Sequence, residues 1–315
     1  MLKLVRRVAT RLARDNALHG RVDALEERPQ HAALVEQLSA RVAEVERRLE
    51  ERDRAAALAA RVKELEEAVF WRGALFYKAF EVAGLWGDYV EFGVYSGATM
   101  SNAWWCAKRH LDLFASGAWD HSLAGDRDAT KRAIADSFRR MRFIGFDSFE
   151  GIPPAAPGEN AGPFAAGTYA AAEEVPRGHL ARTGVDMGQV HFVKGFFNET
   201  CTPQTAAALG LREIAVLHID SDLYSSALTA LDFCTPFLRD GSVVIFDEWF
   251  QFNGSPVEGE QRAFAEWRER NPDWNAQELA REATSRMGFV LNRRRPADRA
   301  TGDGAGGAGN PSAAG

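Results

Sequence analysis

Three carboxylates at the ends of two apolar runs carry the most chemistry in this chain of 315 residues. Asp220 follows one run within His218, Ile219, Asp220, Ser221, Asp222, Leu223 and Tyr224, and Asp247 and Glu248 follow another, just ahead of Trp249. If the two runs are neighbouring strands, all three acids project into one crevice. Crowded without a counter-ion they repel one another and raise their own pKa values. A hard divalent cation with oxygen ligands resolves that conflict, and Mg²⁺ is the expected occupant. Asp220 is the acid expected to carry the catalytic role, with Asp220, Asp247 and Glu248 as metal ligands. No His or Cys is spaced for zinc. Asp222 reads as a cap for the helix that starts near Tyr224, and His218 reads as a core histidine before it reads as a catalytic group.

Two further run ends suit a bound ligand. Glu91, Phe92, Gly93, Val94, Tyr95, Ser96 and Gly97 precede a helix beginning near Ala98, and the two glycines permit a tight turn with helix amides facing a ligand. The spacing is neither G-x-G-x-x-G nor a P-loop. An acid two residues before Gly93 suits an amino acid or ribose portion rather than a pyrophosphate. Asp147, followed by Ser148, closes another run, at the position from which a carboxylate accepts hydrogen bonds from ribose hydroxyls. The alternative for Asp147 is a simple turn cap.

These acids need a scaffold that brings strand ends together. DYVEFGV, RFIGFD, VHFVKGF, IAVLHID and VVIFDEW are near-continuous apolar runs of about seven residues, each with Gly or an acid at its end. Such runs are strands buried on both faces of a parallel sheet. With helical stretches between them they predict an α/β, doubly wound, Rossmann-like domain over residues 70–295. Trp249, Phe250 and Phe252, with Phe164 and Tyr169 after Asp147, form either an aromatic wall over an acceptor or part of the core.

The chain outside that domain has different physics. Residues 1–20 interleave Lys3, Arg6, Arg7, Arg11 and Arg14 with apolar residues. They read either as a basic amphipathic helix resting on an anionic membrane surface or as a solvated lead-in. Across 21–68, Val35, Leu38, Val42, Val45 and Leu49 follow heptad spacing, and Leu58, Val62, Leu65 and Val69 repeat it out of phase. A helical hairpin or short coiled coil fits, either self-associating into a homo-oligomer or carrying solvated charges. Residues 296–315 are Gly, Ala, Asp and Ser with little to bury, and are expected to be disordered.

Composition excludes several classes. A net charge of −6, with 46% hydrophobic and 26% charged residues, describes a globular chain without a global cationic field for nucleic acid. No apolar stretch approaches the roughly 18 residues of a membrane span, and no signal peptide is evident. Three cysteines without a CxxC pair fit a reduced, cytoplasmic compartment.

In order and interval, VEFGVYSG, GFDSFEGIP, FVKGFF, LHIDSDLYSS and GSVVIFDEW resemble the macrocin O-methyltransferase family of class I methyltransferases over roughly residues 70–292. The resemblance implies S-adenosylmethionine as methyl donor, with Glu91, Gly93, Tyr95, Ser96, Gly97, Asp147 and Ser148 around it, and Mg²⁺ on Asp220, Asp247 and Glu248. It implies methylation of a hydroxyl, expected on a sugar of a glycoside, glycolipid or polysaccharide. The family more often shows Asp where this chain has Glu248, and its general-base His has no counterpart, since no His follows His218. Competing readings are a small-molecule phenolic O-methyltransferase and a non-catalytic coiled-coil assembly protein.

Overall fold

The computed structural model describes residues 40–54, 74–118, 125–282 and 285–294. The chain divides into two units, residues 1–68 and 69–315. Within the first, residues 40–54 are helical, laced by exposed pairs such as Arg47–Glu51 and Arg48–Glu44, and Val45 of the heptad seam is 41% exposed. Val42 and Leu49 of the same seam are half-buried, whereas the basic stretch 1–20, the heptad positions Val35, Leu38, Leu58, Val62, Leu65 and Val69, and the tail 296–315 lie outside the described residues.

The second unit is built on a seven-stranded sheet. Its strands are β1 (Asp88–Phe92), β2 (Phe143–Asp147), β3 (Val190–Lys194), β4 (Ile214–Ile219), β5 (Leu238–Phe246), β6 (Trp274–Glu282) and β7 (Arg286–Arg293), in the order β3-β2-β1-β4-β5-β7-β6. The first five pair in parallel, and β7 runs antiparallel between β5 and β6. All five expected runs are strands, so the predicted doubly wound sheet is the fold. The β6–β7 hairpin is additional.

Helices cover both faces. α1 (Ala74–Ala83), α2 (Ala98–Ala115) and α3 (Arg127–Arg140) pack with Tyr89, Val216, Val243 and Ile245 on one side. α4 (Glu174–Arg182) adds Leu180 to that face. α5 (Pro203–Leu209), α6 (Tyr224–Cys234) and α7 (Gly259–Arg270) pack with Val90, Leu217, Val244 and Phe246 on the other. Strand neighbours alternate between the two cores, the period of two that a pleated strand imposes. Both faces are therefore apolar, and the strands read as continuous hydrophobic runs. The chain order reverses between β1 and β4, which opens a crevice at the carboxyl ends of the strands.

Candidate active site

In register, Ile219 of β4 lies beside Phe246 of β5, so the next residues, Asp220 and Asp247, emerge side by side. The ladder continues past the strands: Asp220 N–H donates to Phe92 O at 2.9 Å and Asp247 N–H to Ile219 O at 3.0 Å. Oxygens of Asp220, Asp247 and Glu248 lie within 4.8 Å of one another. The neighbour relationship on which the sequence reading depended is present, and the three acids share one wall.

That wall belongs to a cavity of about 650 Å³, also lined by Gly93, Tyr95, Asp147, Ser148, Tyr169 and Asp222. Its volume suits a cofactor-sized ligand. Gly93 makes the floor: at φ +93 its Cα packs on the Asp220 backbone, and an added Cβ would fall onto the Asp220 carbonyl oxygen. Three non-glycine residues on the lining, Tyr95 (φ 46), Tyr169 (φ 57) and Asp222 (φ 60), hold left-handed backbone. Strain of this kind is maintained only where surrounding structure enforces it, typically at ligand sites.

Asp147 ends β2 on the cavity lining and does more than cap a turn. Its Oδ2 accepts from the N–H groups of Val94 (2.7 Å) and Tyr95 (2.9 Å), and its Oδ1 from Phe149 N–H (2.6 Å). The carboxylate thereby ties the loop after β1 to the loop after β2. Ser148 bridges its own turn, donating to Gly151 O at 2.9 Å. Ser96 and Gly97 are not on the lining; Gly97 is the left-handed N-cap of α2 and packs against Pro176.

Glu91 departs from its expected place beside a donor. It is fully buried on the α1 side of the sheet, accepts from Tyr89 OH at 2.9 Å and faces His218 Nδ1 at 3.7 Å. The register explains this, because Glu91 and His218 are partners on adjacent strands and point to the same face. Phe76 of α1 seals them edge-on, with ring centroids 5.1 Å apart from His218. Burial alone would lower the His218 pKa, but the Asp247 and Glu91 carboxylates raise it to about 9.

Asp247 is the hinge of this arrangement. His218 Nε2 lies 3.3 Å from its Oδ1, and Arg286 Nε donates to the same oxygen. Arg286 also donates to Glu282 Oε2 at 3.2 Å, and Glu282 Oε1 accepts from Leu75 N–H at 3.1 Å, at the start of α1. Burial opposes ionisation of Asp247, yet His218 and Arg286 hold its carboxyl well below the usual range. Asp220 moves the opposite way: burial and the neighbouring Asp247 charge push it up. Glu248 rises for the same reasons, through burial, Asp220 and Glu260.

Glu260 of α7 is a further buried acid, 2% exposed. Its Oε2 accepts from Glu248 N–H at 3.0 Å. Burial and the Asp247 and Asp220 charges raise its pKa. Buried oxygens of Glu248 and Glu260, Oε2 and Oε1 respectively, have no hydrogen-bond partner. A divalent cation is the group this donor set fits: hard oxygens, excess negative charge, and an orphaned carboxylate oxygen on the third ligand.

Asp222 does not cap the helix. The N-cap of α6 is Leu223, without a side-chain bond, and Glu159 accepts from Ser225 N–H instead. Burial, then the Asp247 charge, pushes Asp222 up to about 6.

The aromatic residues divide between core and lid. Trp249 packs on Phe246 and Phe289, each at 5.0 Å, and Phe250 joins the same core. Phe252 and Phe164 pin the loop 148–173, forming a small cluster with Ile152 and Leu223. Tyr169 alone of the five lines the cavity, edge-to-face with Tyr95 at 5.7 Å.

Residues 130–272 match the family model for macrocin-O-methyltransferase. A relative from Streptomyces olivaceus, 8-demethyl-8-(2,3-dimethoxy-alpha-L-rhamnosyl)-tetracenomycin-C 4'-O-methyltransferase, is 31% identical over 144 residues, 44% of this chain and 52% of the relative. The match thus spans about half of the relative's length. Among solved structures, the O-methyltransferase NovP aligns over 70% of this chain and 80% of its own, at 21% identity and a TM-score of 0.50. The calicheamicin methyltransferase CalS11 aligns over 69% and 76%, at 20% identity and a TM-score of 0.49. Four of the five motifs lie within the matched residues 130–272, VEFGVYSG precedes them, and the NovP alignment shows the shared fold.

Proposed function

We propose that this chain, whose residues 130–272 carry the match to the macrocin-O-methyltransferase family, is a Mg²⁺-assisted, S-adenosylmethionine-dependent O-methyltransferase acting on a sugar hydroxyl. One observation carries the reading: Asp220, Asp247 and Glu248 converge within 4.8 Å on the wall of the cavity that Gly93, Tyr95 and Asp147 also line. When bound, S-adenosylmethionine supplies an already activated methyl group, and Mg²⁺ on the three carboxylates supplies Lewis acidity that makes a weakly acidic hydroxyl a better nucleophile.

The chain's own residues do the positioning. Asp147 fixes the 94–95 loop and presents a carboxylate to the ribose side of the donor, while Gly93 lets the ligand lie close against the backbone. His218 and Arg286 share Asp247 Oδ1, which leaves Oδ2 for an ion. Asp222 lines the same cavity, and its carboxylate accepts the proton leaving the hydroxyl. The loop 148–173 shields the reacting atoms from water. A general base is thus available without the His that the sequence lacks. Orientation of the hydroxyl in line with the methyl group supplies much of the rate.

The relative's rhamnosyl acceptor makes rhamnosides the first acceptors to assay. Incubation of the protein with labelled S-adenosylmethionine and rhamnosylated aromatic compounds is expected to label a sugar hydroxyl, and Asp222→Asn to slow that transfer severely at unchanged donor affinity. Absence of donor binding in calorimetry overturns the reading.

A further inference from the structure

The heptad seam ahead of the α/β unit takes no part in the chemistry proposed above. On the helix over residues 40–54, Val42, Val45 and Leu49 occupy successive a, d and a positions and form one apolar stripe. Among the described residues, none of the three apolar cores includes them. In the sequence the seam opens with Val35 at a and Leu38 at d, and Leu58, Val62, Leu65 and Val69 resume it at d, a, d and a outside the described residues. Valine at most a positions with leucine at most d positions is the choice that favours two parallel strands.

The charges beside the stripe sort by sign. Position g holds Arg41 and Arg48, and position e holds Glu46 and Asp53. Arg61 and Glu66 repeat that order in the sequence beside the later run. In a parallel pair each g residue meets the next e residue of the other helix, so Arg41 faces the partner's Glu46 and Arg48 faces the partner's Asp53. Two-fold symmetry makes each contact twice. An antiparallel partner instead sets g against g and e against e, which brings Arg onto Arg and acid onto acid. That conflict holds for a second copy and equally for this chain's own 58–69 run folded back on the helix. Charges on the far face are paired within the helix: Arg47 at f bonds Glu44 at 2.7 Å and Glu51 at 2.6 Å, both at c. Arg48 reaches Glu44 through Nε at 2.6 Å, and its side chain stays 73% exposed beside the seam.

We infer that the stripe of Val42, Val45 and Leu49 is an interaction surface for a second copy of this chain, joined in parallel and in register, with Arg41 and Arg48 paired to the partner's Glu46 and Asp53. Both chains leave such a seam at the same end, so the α/β units are delivered in pairs. The inference stands apart from the methyltransferase reading, because no residue of the cavity enters it.

The test is sedimentation equilibrium of the full-length protein, for which a dimer is expected. The double variant Arg41→Glu with Arg48→Glu puts acids at both e and g, and is expected to raise the dimer dissociation constant at least about tenfold. A fourfold variant, Arg41→Glu, Glu46→Arg, Arg48→Glu and Asp53→Arg, exchanges the two signs and is expected to dimerise again. Unfolded and reannealed with differently tagged wild type, it is expected to sort into two homodimers, since a mixed parallel pair sets like charges together. An antiparallel seam would give mixed dimers instead. Circular dichroism checks that each variant keeps its fold, which surface charges on an exposed helix are expected to leave intact. Monomeric wild-type protein, an assembly of more than two copies, an unmoved dissociation constant in the double variant, a monomeric fourfold variant or predominantly mixed dimers would each overturn the inference.

Discussion

Arg286 Nε donates to Asp247 Oδ1, the same oxygen that His218 Nε2 approaches, so a β7 cation fixes an acid at the end of β5. Both partners are largely buried, with side chains 21% and 14% exposed. Removing one member of such a pair leaves a charge without its counterpart. Arg286→Ala is therefore expected to destabilise the protein by about 3 kcal/mol in denaturant unfolding and to weaken Mg²⁺ binding. Arg286→Lys keeps the charge without the fork geometry and is expected to fall between. Unaltered Mg²⁺ affinity in both variants would show that the guanidinium does not position Asp247.

Glu260 holds the peptide N–H of Glu248, the third carboxylate of the proposed metal site, at 3.0 Å. Groups that orient a metal ligand typically change affinity by about 10- to 100-fold when removed. Glu260→Ala is expected to raise the Mg²⁺ dissociation constant in that range, as titration calorimetry would report, with the donor affinity unchanged.

Gly93 has no room for a side chain. Its φ of +93 and its contact with the Asp220 carbonyl make Gly93→Ala both strained and overpacked. A loss of about 3 kcal/mol or more is expected, and thermal unfolding would measure it. A stable, active alanine variant would mean that β1 and β4 do not close as tightly as described.

Phe252 anchors the loop over the cavity. Held at φ +54, its ring lies against Phe164 and against Gly162, where an added Cβ would come within 2.6 Å. Phe252→Ala is expected to free the loop 148–173, raising the acceptor KM several-fold and increasing protease cleavage within the loop. Global unfolding should move little, because the cluster under the loop is small and separate from the two main cores.

The parallel core was legible because strands buried on both faces leave uninterrupted apolar runs, and strand ends then locate Asp147, Asp220, Asp247 and Glu248. The β6–β7 hairpin was not, because its strands mix exposed polar residues with buried ones and end in charged residues. With it went Arg286, 39 residues from Asp247 and marked by no motif. Glu260 and Glu159 escaped for the same reason, since their roles come from packing between elements distant in sequence. Glu91 was misplaced because strand register, which sequence does not display, decides the face it enters. Asp222 read as a cap until Glu159 proved to hold that position.

The central claim is that three strand-end carboxylates hold a divalent cation that methyl transfer needs. The most direct test is label transfer from S-adenosylmethionine to a rhamnoside acceptor, measured with EDTA and again after Mg²⁺ is restored, in wild type and in Asp220→Ala. Transfer is expected to vanish in EDTA, to return with Mg²⁺ in the wild-type protein, and to stay absent in Asp220→Ala at any Mg²⁺ concentration. Full transfer in EDTA, or a fully active Asp220→Ala variant, would contradict the account.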